Sequence, residues 1–259
     1  MFNLSDIQMR RNGKNILSIK TLDIPTDRFT IIIGHNGSGK STLANLLSGQ
    51  QKPDAGKIRL NSRDIGSYGA KELARSVAFL PQRLPESVGL TVRELVRMGR
   101  FAWRGTFGRW NRDDERIIDE SIKKTGVGEF SHILTDRLSG GERQRAWVAM
   151  LLAQKAPVLI LDEPTSALDV HHQYQLMNLL ATLNQTQNGG IIIILHDLNL
   201  TLRYASHIIA LKKGRIAFQG PVDGLLNEQR LSDLYQAPIR LIPHPDWDSR
   251  TGKVAVICV

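Results

Sequence analysis

The chain has 259 residues, 41% hydrophobic and 23% charged, enough for a substantial buried core and unlike a disordered or fibrous polypeptide. Its one cysteine, Cys258, cannot form an internal bridge, which fits a reducing compartment and excludes a disulfide scaffold. A formal net charge of +9 suits a solvated basic surface, or attraction to nucleotide phosphates, nucleic acid or an anionic membrane face. Charge alone does not choose among these.

In chain order, Met1 to Asp6 carries neither a basic nor an apolar leader pattern, so no export signal is expected. Phe29 to Ile33 reads as a buried strand, followed by a helix from Lys40 to Ser48 that Gly49 closes. From about Pro81 to Ala153 strand signals give way to helical ones. Thr91-Val92-Arg93-Glu94 is a capping box opening a helix that Gly99 closes. A second helix is expected from Asp113 to Lys124, ending near Gly126. A third begins near Gly141 and carries Ala146, Val148, Ala149, Leu151 and Leu152. Val158 to Leu161 and Ile191 to Leu195 read as two more central strands. Between them Val170 to Leu183 has helical spacing, with Leu176, Leu179, Leu180 and Leu183 on one face. Ile208–Leu211 and Arg215–Phe218 predict a hairpin around Lys212-Lys213-Gly214, and the tail from Pro238 has no assignment. Alternating short strands and helices predict an α/β fold with a largely parallel sheet and an inserted helical subdomain at about 83–153. The purest apolar run, Ile191 to Leu195, is far short of the roughly 20 residues a membrane span needs. Any membrane partner must therefore be another chain.

Gly34-His35-Asn36-Gly37-Ser38-Gly39-Lys40-Ser41 has the glycine and lysine spacing of a phosphate-binding loop, placed between a predicted strand and helix. Its glycines let successive backbone N–H groups converge on phosphate oxygens at a helix N-terminus. Lys40 is expected to neutralise β- and γ-phosphates, and the Ser41 hydroxyl to ligate Mg²⁺. The strand Val158 to Leu161 runs into Asp162-Glu163. A carboxylate at a strand end suits Mg²⁺, and a second beside it suits the attacking water. We assign Asp162 to the metal and Glu163 to the general base.

Leu138-Ser139-Gly140-Gly141-Glu142-Arg143-Gln144 offers a second anion-binding helix start. This heptad resembles the signature of ABC ATPases. The remaining motifs follow in order: Gln82 matches the Q-loop glutamine, Ser166-Ala167-Leu168-Asp169 the D-loop, and His196 the switch histidine. The resemblance covers nearly the whole chain. It implies a single P-loop NTPase domain over 1–259, with an N-terminal antiparallel β subdomain, an inserted helical subdomain and a short tail from about 238. It also implies ATP and Mg²⁺ as ligands. Gly34 to Thr42 of one copy and Ser139, Gly140, Gly141 and Gln144 of a second would sandwich the nucleotide in a two-fold dimer. Lys40, Gln82, Glu163 and His196 would carry catalysis, with Ser41, Gln82 and Asp162 at the metal. Family members carry an aromatic ring on adenine in the first hairpin. Here the matching stretch is Met9 to Gly13 with Arg11 in that place, and a guanidinium plane can stack on a base. A solvated Arg11 with weak base selectivity is the alternative.

Finer resemblance concerns the cargo. Leu84-Pro85, Gly89 to Val96, Gly99-Arg100, Trp103 and Gly105 resemble the iron-siderophore and vitamin B12 importer group. Leu138 to Trp147, Ala149 to Leu151 and Ile242-Pro243-His244-Pro245 look nearest to the ATPase of ferric-hydroxamate importers. Relatives in that group carry haem, catecholate siderophores or cobalamin. The resemblance implies an integral-membrane permease, fed by a substrate-binding protein, with this chain peripheral on the cytoplasmic face of a bacterial inner membrane and no nucleic acid bound. Arg100, Arg104 and Arg109 with Phe101, Trp103, Phe107 and Trp110 read as loop packing, as a coupling surface for a permease helix, or as a nucleic-acid groove. His171-His172 reads as a helix start rather than a metal site, and His244 and Cys258 as tail residues without chemistry. A non-transport ABC ATPase would usually carry two cassettes or a coiled-coil insert, and the chain has no sustained heptads. A P-loop kinase or GTPase would leave Leu138–Gln144 unexplained.

Overall fold

The structure is a computed structural model that describes residues 1–104, 109–187, 189–245 and 251–258. Its strands are β1 (Phe2–Arg11), β2 (Lys14–Ile24), β3 (Phe29–Gly34), β4 (Ala55–Leu60), β5 (Arg63–Asp64) and β6 (Val77–Leu80), then β7 (Val158–Asp162), β8 (Gly190–Ile194), β9 (His207–Lys212), β10 (Arg215–Pro221), β11 (Ile239–Pro243) and β12 (Lys253–Ile257). The helices are α1 (Lys40–Leu47), α2 (Ala70–Ser76), α3 (Val92–Met98), α4 (Phe101–Arg104), α5 (Arg112–Lys124), α6 (Gly140–Ala153), α7 (Val170–Gln187), α8 (Leu198–Tyr204) and α9 (Glu228–Tyr235). The chain divides into two compact units, Met1–Ser67 with Gly190–Val259, and Tyr68–Gly189.

In the first unit an antiparallel sheet runs in the order β2-β1-β4-β5. Leu17, Ile19, Leu22 and Ile24 of β2 are buried while residues between them face out. That is the near-alternation of a sheet with one covered face. Asn12 (φ 49°) and Gly13 (φ 74°) turn the β1–β2 hairpin, the positive pair that a two-residue hairpin loop requires. A second sheet has the order β10-β9-β3-β8, with β3 parallel to both β8 and β9. Every residue of β3 and of β8 is buried, as expected of central strands covered on both faces. β8 begins at Gly190 and ends at Ile194, one residue ahead of the expected span. A Cβ on Gly190 would lie 2.4 Å from the Thr26 carbonyl oxygen, so the strand starts at a place only glycine fits.

The second unit holds the parallel pair β6 and β7, with Leu80 opposite Leu161, and six of the helices. Between 83 and 153 its described residues form helices and turns, with no named strand. α6 is buried almost all round, through Ala146, Trp147, Val148, Ala149, Leu151 and Leu152. α3, α5 and α6 each start with a side-chain cap, from Thr91, Asn111 and Ser139. α7 runs four residues beyond the expected Leu183 and buries Leu176, Met177 and Leu180. Met177 had no place in the leucine stripe read from sequence, yet it shares that face at helical spacing.

In the arginine- and tryptophan-rich run after α3, Arg100, Trp103 and Arg104 take part in packing, while Arg109 is exposed. Asp114 is wholly buried and pairs with Arg100 (3.0 Å) and Arg104 (2.5 Å). Arg100 also donates to the Ala153 carbonyl at 2.9 Å. Trp103 Nε1 donates to the Gln154 carbonyl at 2.7 Å, and the Arg97 guanidinium lies 3.9 Å over the Trp110 ring. Arg100 and Arg104 of the run, and Arg97 at the end of α3, are thus used inside the unit. Phe107 and Gly105 lie outside the described residues.

Candidate nucleotide-binding and hydrolysis site

β3 ends at Gly34 and α1 starts at Lys40, so the loop between them leaves the carboxyl end of a central parallel strand, where α/β sheets bind ligands. Gly34, Gly37 and Gly39 all have positive φ, at 147°, 77° and 100°. A Cβ on Gly34 would come within 2.3 Å of the Leu211 carbonyl oxygen, and one on Gly39 within 2.5 Å of Leu17. Both glycines are therefore obligatory for close approach as well as for backbone angle. Lys40 is 5% exposed, and its ammonium donates to the carbonyls of Gly34 (2.8 Å) and His35 (3.1 Å). The charge is held across the mouth of the loop by its own backbone. Ser38 Oγ is buried without a hydrogen-bond partner among the described residues. A cradle of this shape, with a fixed cation and an unsatisfied hydroxyl, fits a phosphate. Asn36 and Gly37 are exposed; Ser41 and Thr42, in the first turn of α1, are half-buried.

His196 follows β8, which pairs in register with β3 (Ile32 opposite Ile194). The Leu195 N–H donates to the Ile32 carbonyl at 3.3 Å. Within the first unit the phosphate loop and His196 thus leave the same end of neighbouring strands. Asp197 beside it caps α8, accepting from Leu200 N at 2.9 Å. Arg11 is exposed at the β1–β2 hairpin tip, opposite Lys14.

In the second unit Gln82 follows β6 and Glu163 follows β7, again adjacent parallel strands, and Gln82 Nε2 donates to Glu163 Oε2 at 2.8 Å. Sequence reading gave these residues neighbouring roles but no mutual bond. Glu163 has φ 52°, a left-handed angle on a non-glycine residue, which costs about 1–3 kcal/mol and persists where surrounding contacts hold it. Here Ser166 donates to the Glu163 carbonyl through its N–H (3.3 Å) and its hydroxyl (3.0 Å). Asp162 ends β7 and is 2% exposed. No group of three or more His, Cys, Asp or Glu side chains suited to a metal exists among the described residues. Mg²⁺ needs no such group where substrate phosphates and water complete its shell. One hydroxyl and one carboxylate, as in Ser41 and Asp162, are the donor chemistry it takes.

Ser139 Oγ accepts from Glu142 N (3.3 Å), and Glu142 accepts from Ser139 N (2.8 Å). Hydrogen bonding from the Ser139 N–H, and then from the Ser139 hydroxyl, holds the Glu142 carboxyl below its ordinary pKa. Ser139 and Gly140 are exposed, whereas Gln144 is buried within α6. A Cβ on Gly141 would lie 3.4 Å from the Ala167 carbonyl oxygen, so the signature turn and the D-loop pack together in the same unit. Gln173 secures that loop by donating to the Thr165 and Leu168 carbonyls. Asp169 caps α7 by accepting from His172 N (2.8 Å) and meets His172 Nδ1 at 2.8 Å. His171-His172 is thus a helix start.

The model of the ABC transporter family matches residues 17–166. The chain is 40% identical to the ferric enterobactin transport ATP-binding protein FepC of Escherichia coli (strain K12), over 87% of this chain and 83% of that one. It is 39% identical to the iron(3+)-hydroxamate import ATP-binding protein FhuC of Bacillus subtilis (strain 168), over 90% and 85%. A metal-chelate type ABC transporter in an inward-facing conformation superposes with a TM-score of 0.81 at 25% identity, covering 99% of this chain and 96% of that one. Such ATPases work as dimers on a membrane permease, and no described helix of this chain is long and apolar enough to cross a membrane. The chain belongs to the ABC transporter family, as an ATP-binding subunit that hydrolyses ATP to drive transport.

Proposed function

We propose that this subunit powers import of an iron-siderophore complex, with ferric hydroxamate as the cargo class, through a separate permease fed by a substrate-binding protein. The phosphate loop, with Lys40 fixed across it, is the observation that carries the ATPase chemistry. For the cargo, support comes from residues 138–151 and 242–245 and from the hydroxamate relative. The ferric enterobactin relative is as similar in identity, so haem, catecholate or cobalamin import is the second reading. Deleting the gene in its source cells and following uptake of radioiron on hydroxamate, on catecholate and in haem tests this. Selective loss of hydroxamate uptake is expected, and loss of another cargo with hydroxamate untouched refutes the assignment.

The whole chain acts as one ABC ATPase domain, with 83–153 as its helical subdomain. The loop amides of Gly34 to Thr42, including those of His35, Asn36 and Ser38, hold the ATP phosphates, and Lys40 matches the charge of the β- and γ-groups. Ser41, Gln82 and Asp162 hold Mg²⁺, which offsets charge on the phosphate oxygens when bound. Glu163 takes the proton of the attacking water and Gln82 aims its carboxylate. His196 meets the γ-phosphate oxygens. Ser139, Gly140 and Gly141 of the partner subunit close over the same nucleotide, with Gln144 supporting that turn from inside α6. Arg11 stacks on the base. An exposed groove of about 500 Å³ lined by Ala70, Lys71, Ala74, Met98, Phe101 and Ala102 offers the permease an apolar seat. The subunit sits peripherally on the cytoplasmic side of the inner membrane and uses no nucleic acid.

A further inference from the structure

Two buried polar atoms in the first unit face a part of the chain that these roles leave unused. His35, inside the phosphate loop, has a buried Nε2 with no hydrogen-bond partner among the described residues, and so has the Tyr235 hydroxyl. Their rings lie 6.1 Å apart at 58°. Tyr235 is the last residue of α9, and Gln236 (φ 54°) turns the backbone out of the helix there. Burial, with the nearby Asp197 charge adding to it, pushes the Tyr235 phenol well above its ordinary pKa. Asp197 follows His196 directly, so the phenol whose ring packs near His35 of the phosphate loop also feels the charge of the switch-histidine loop.

α9 is itself fixed. Leu231 and Leu234 are buried, and Lys212 donates to the Asp233 carbonyl at 2.7 Å. The Ile239 and Leu241 N–H groups bond Ser232 Oγ (2.9 Å) and Glu228 Oε1 (2.8 Å), tying β11 to the helix. β12 then reaches α8. Asn199, three residues after His196, accepts from Ala255 N at 2.8 Å and donates to the Ala255 carbonyl at 3.3 Å. A side-chain amide that matches both backbone groups of one strand residue fixes α8 to that strand in one register.

We propose that the segment from α9 to β12 is a brace for hydrolysis. Tyr235 is a positioning residue for the phosphate loop and Asn199 one for the His196 loop. Neither need touch ATP. The proposal rests on the roles given above to the phosphate loop and His196.

The full chain, purified as Tyr235→Phe, Tyr235→Leu and Asn199→Ala, is assayed for ATP hydrolysis and for binding of a fluorescent ATP analogue, with thermal melting as a control. Each lost bond or ring contact is expected to change a kinetic constant about 3- to 10-fold. The two positions should differ in kind. Tyr235→Leu raises KM and weakens nucleotide binding, and Tyr235→Phe, which keeps the ring, recovers most of the loss. Asn199→Ala lowers kcat with KM within twofold, because it loosens a loop that acts in the reaction rather than in binding. Values of kcat and KM within 1.5-fold of the unsubstituted chain for both Tyr235→Leu and Asn199→Ala overturn the brace. So does an activity loss that only tracks the loss of folded protein. If Lys40→Ala also leaves nucleotide binding intact, the underlying reading of the phosphate loop fails. If Lys40→Ala abolishes binding while the brace variants are silent, only the brace fails.

Discussion

Asp114 is the residue whose removal should most weaken the unit from Tyr68 to Gly189. Its carboxylate is fully buried and bonds Arg100, whose side chain is 8% exposed, and Arg104, whose side chain is 29% exposed. It also receives the Asn111 N–H at 3.3 Å, completing the cap of α5. Asp114→Ala leaves the Arg100 guanidinium buried with the Ala153 carbonyl as its acceptor. Breaking a buried pair from one side costs about 3–5 kcal/mol. Arg104 can turn partly toward water, so the lower half of that range, about 3–4 kcal/mol, is expected. Asp114→Asn keeps the shape and one acceptor, and should cost about 1.5–3 kcal/mol. Trp103, Trp110 and Trp147 lie in this unit, so tryptophan fluorescence in urea follows its unfolding. Burial of the carboxylate opposes its ionisation, yet the two guanidiniums and the Asn111 N–H outweigh this and hold its pKa below the ordinary value. A depressed folded pKa means the stabilisation is complete above the unfolded value of about 3.9 and fades as pH falls through the folded one. An Asp114→Ala loss below about 1 kcal/mol, or equal losses for the two substitutions, would refute this account of the cluster.

Lys40→Ala should weaken ATP binding by at least about tenfold, since a buried charge-assisted contact contributes about 1.5–3 kcal/mol; titration with a fluorescent ATP analogue checks it. Gly39→Ala forces a Cβ to 2.5 Å from Leu17 at φ 100°, so it should cost about 1–3 kcal/mol and distort the loop, read as a lower melting temperature and weaker nucleotide binding together. With Arg11 in place of an aromatic ring, ATP and GTP should be hydrolysed with less discrimination than by relatives that carry the ring. Side-by-side kcat/KM values showing equal or stricter selectivity would contradict this.

Motifs that must present backbone to phosphate were legible because their residue types have few substitutes. Gly34, Gly37 and Gly39 occupy angles or spaces closed to other residues, and Thr91 and Ser139 are reciprocal caps. Long apolar runs such as Phe29–Ile33 and Ile191–Leu195 marked strands buried on both faces. Less was visible where stability comes from partners distant in sequence. β4 is held by pairing with β1, and β5 by pairing with β4, rather than by strong local patterning. β11 and β12 pair from Ile239 with Ile257 to Pro243 with Lys253, in a tail where Pro238, Pro243, Pro245 and mixed polarity leave no alternation to read. α8 and α9, of 7 and 8 residues, are too short for periodicity to stand out. The Arg100–Asp114 pair spans 14 residues, and in sequence both members look like surface charges. The Gln82–Glu163 bond joins residues 81 apart, and no local signal announces it.

The most direct test of the central claim uses Glu163→Gln, which removes the general base and leaves the phosphate loop intact. Tagged and purified with ATP from detergent-solubilised source cells, it should hydrolyse ATP at least about 100-fold more slowly, run as a nucleotide-locked dimer and bring a multi-span permease with it. Unchanged turnover would contradict the role of Glu163. Recovery with ribosomes or DNA and no membrane protein would contradict the transport function itself.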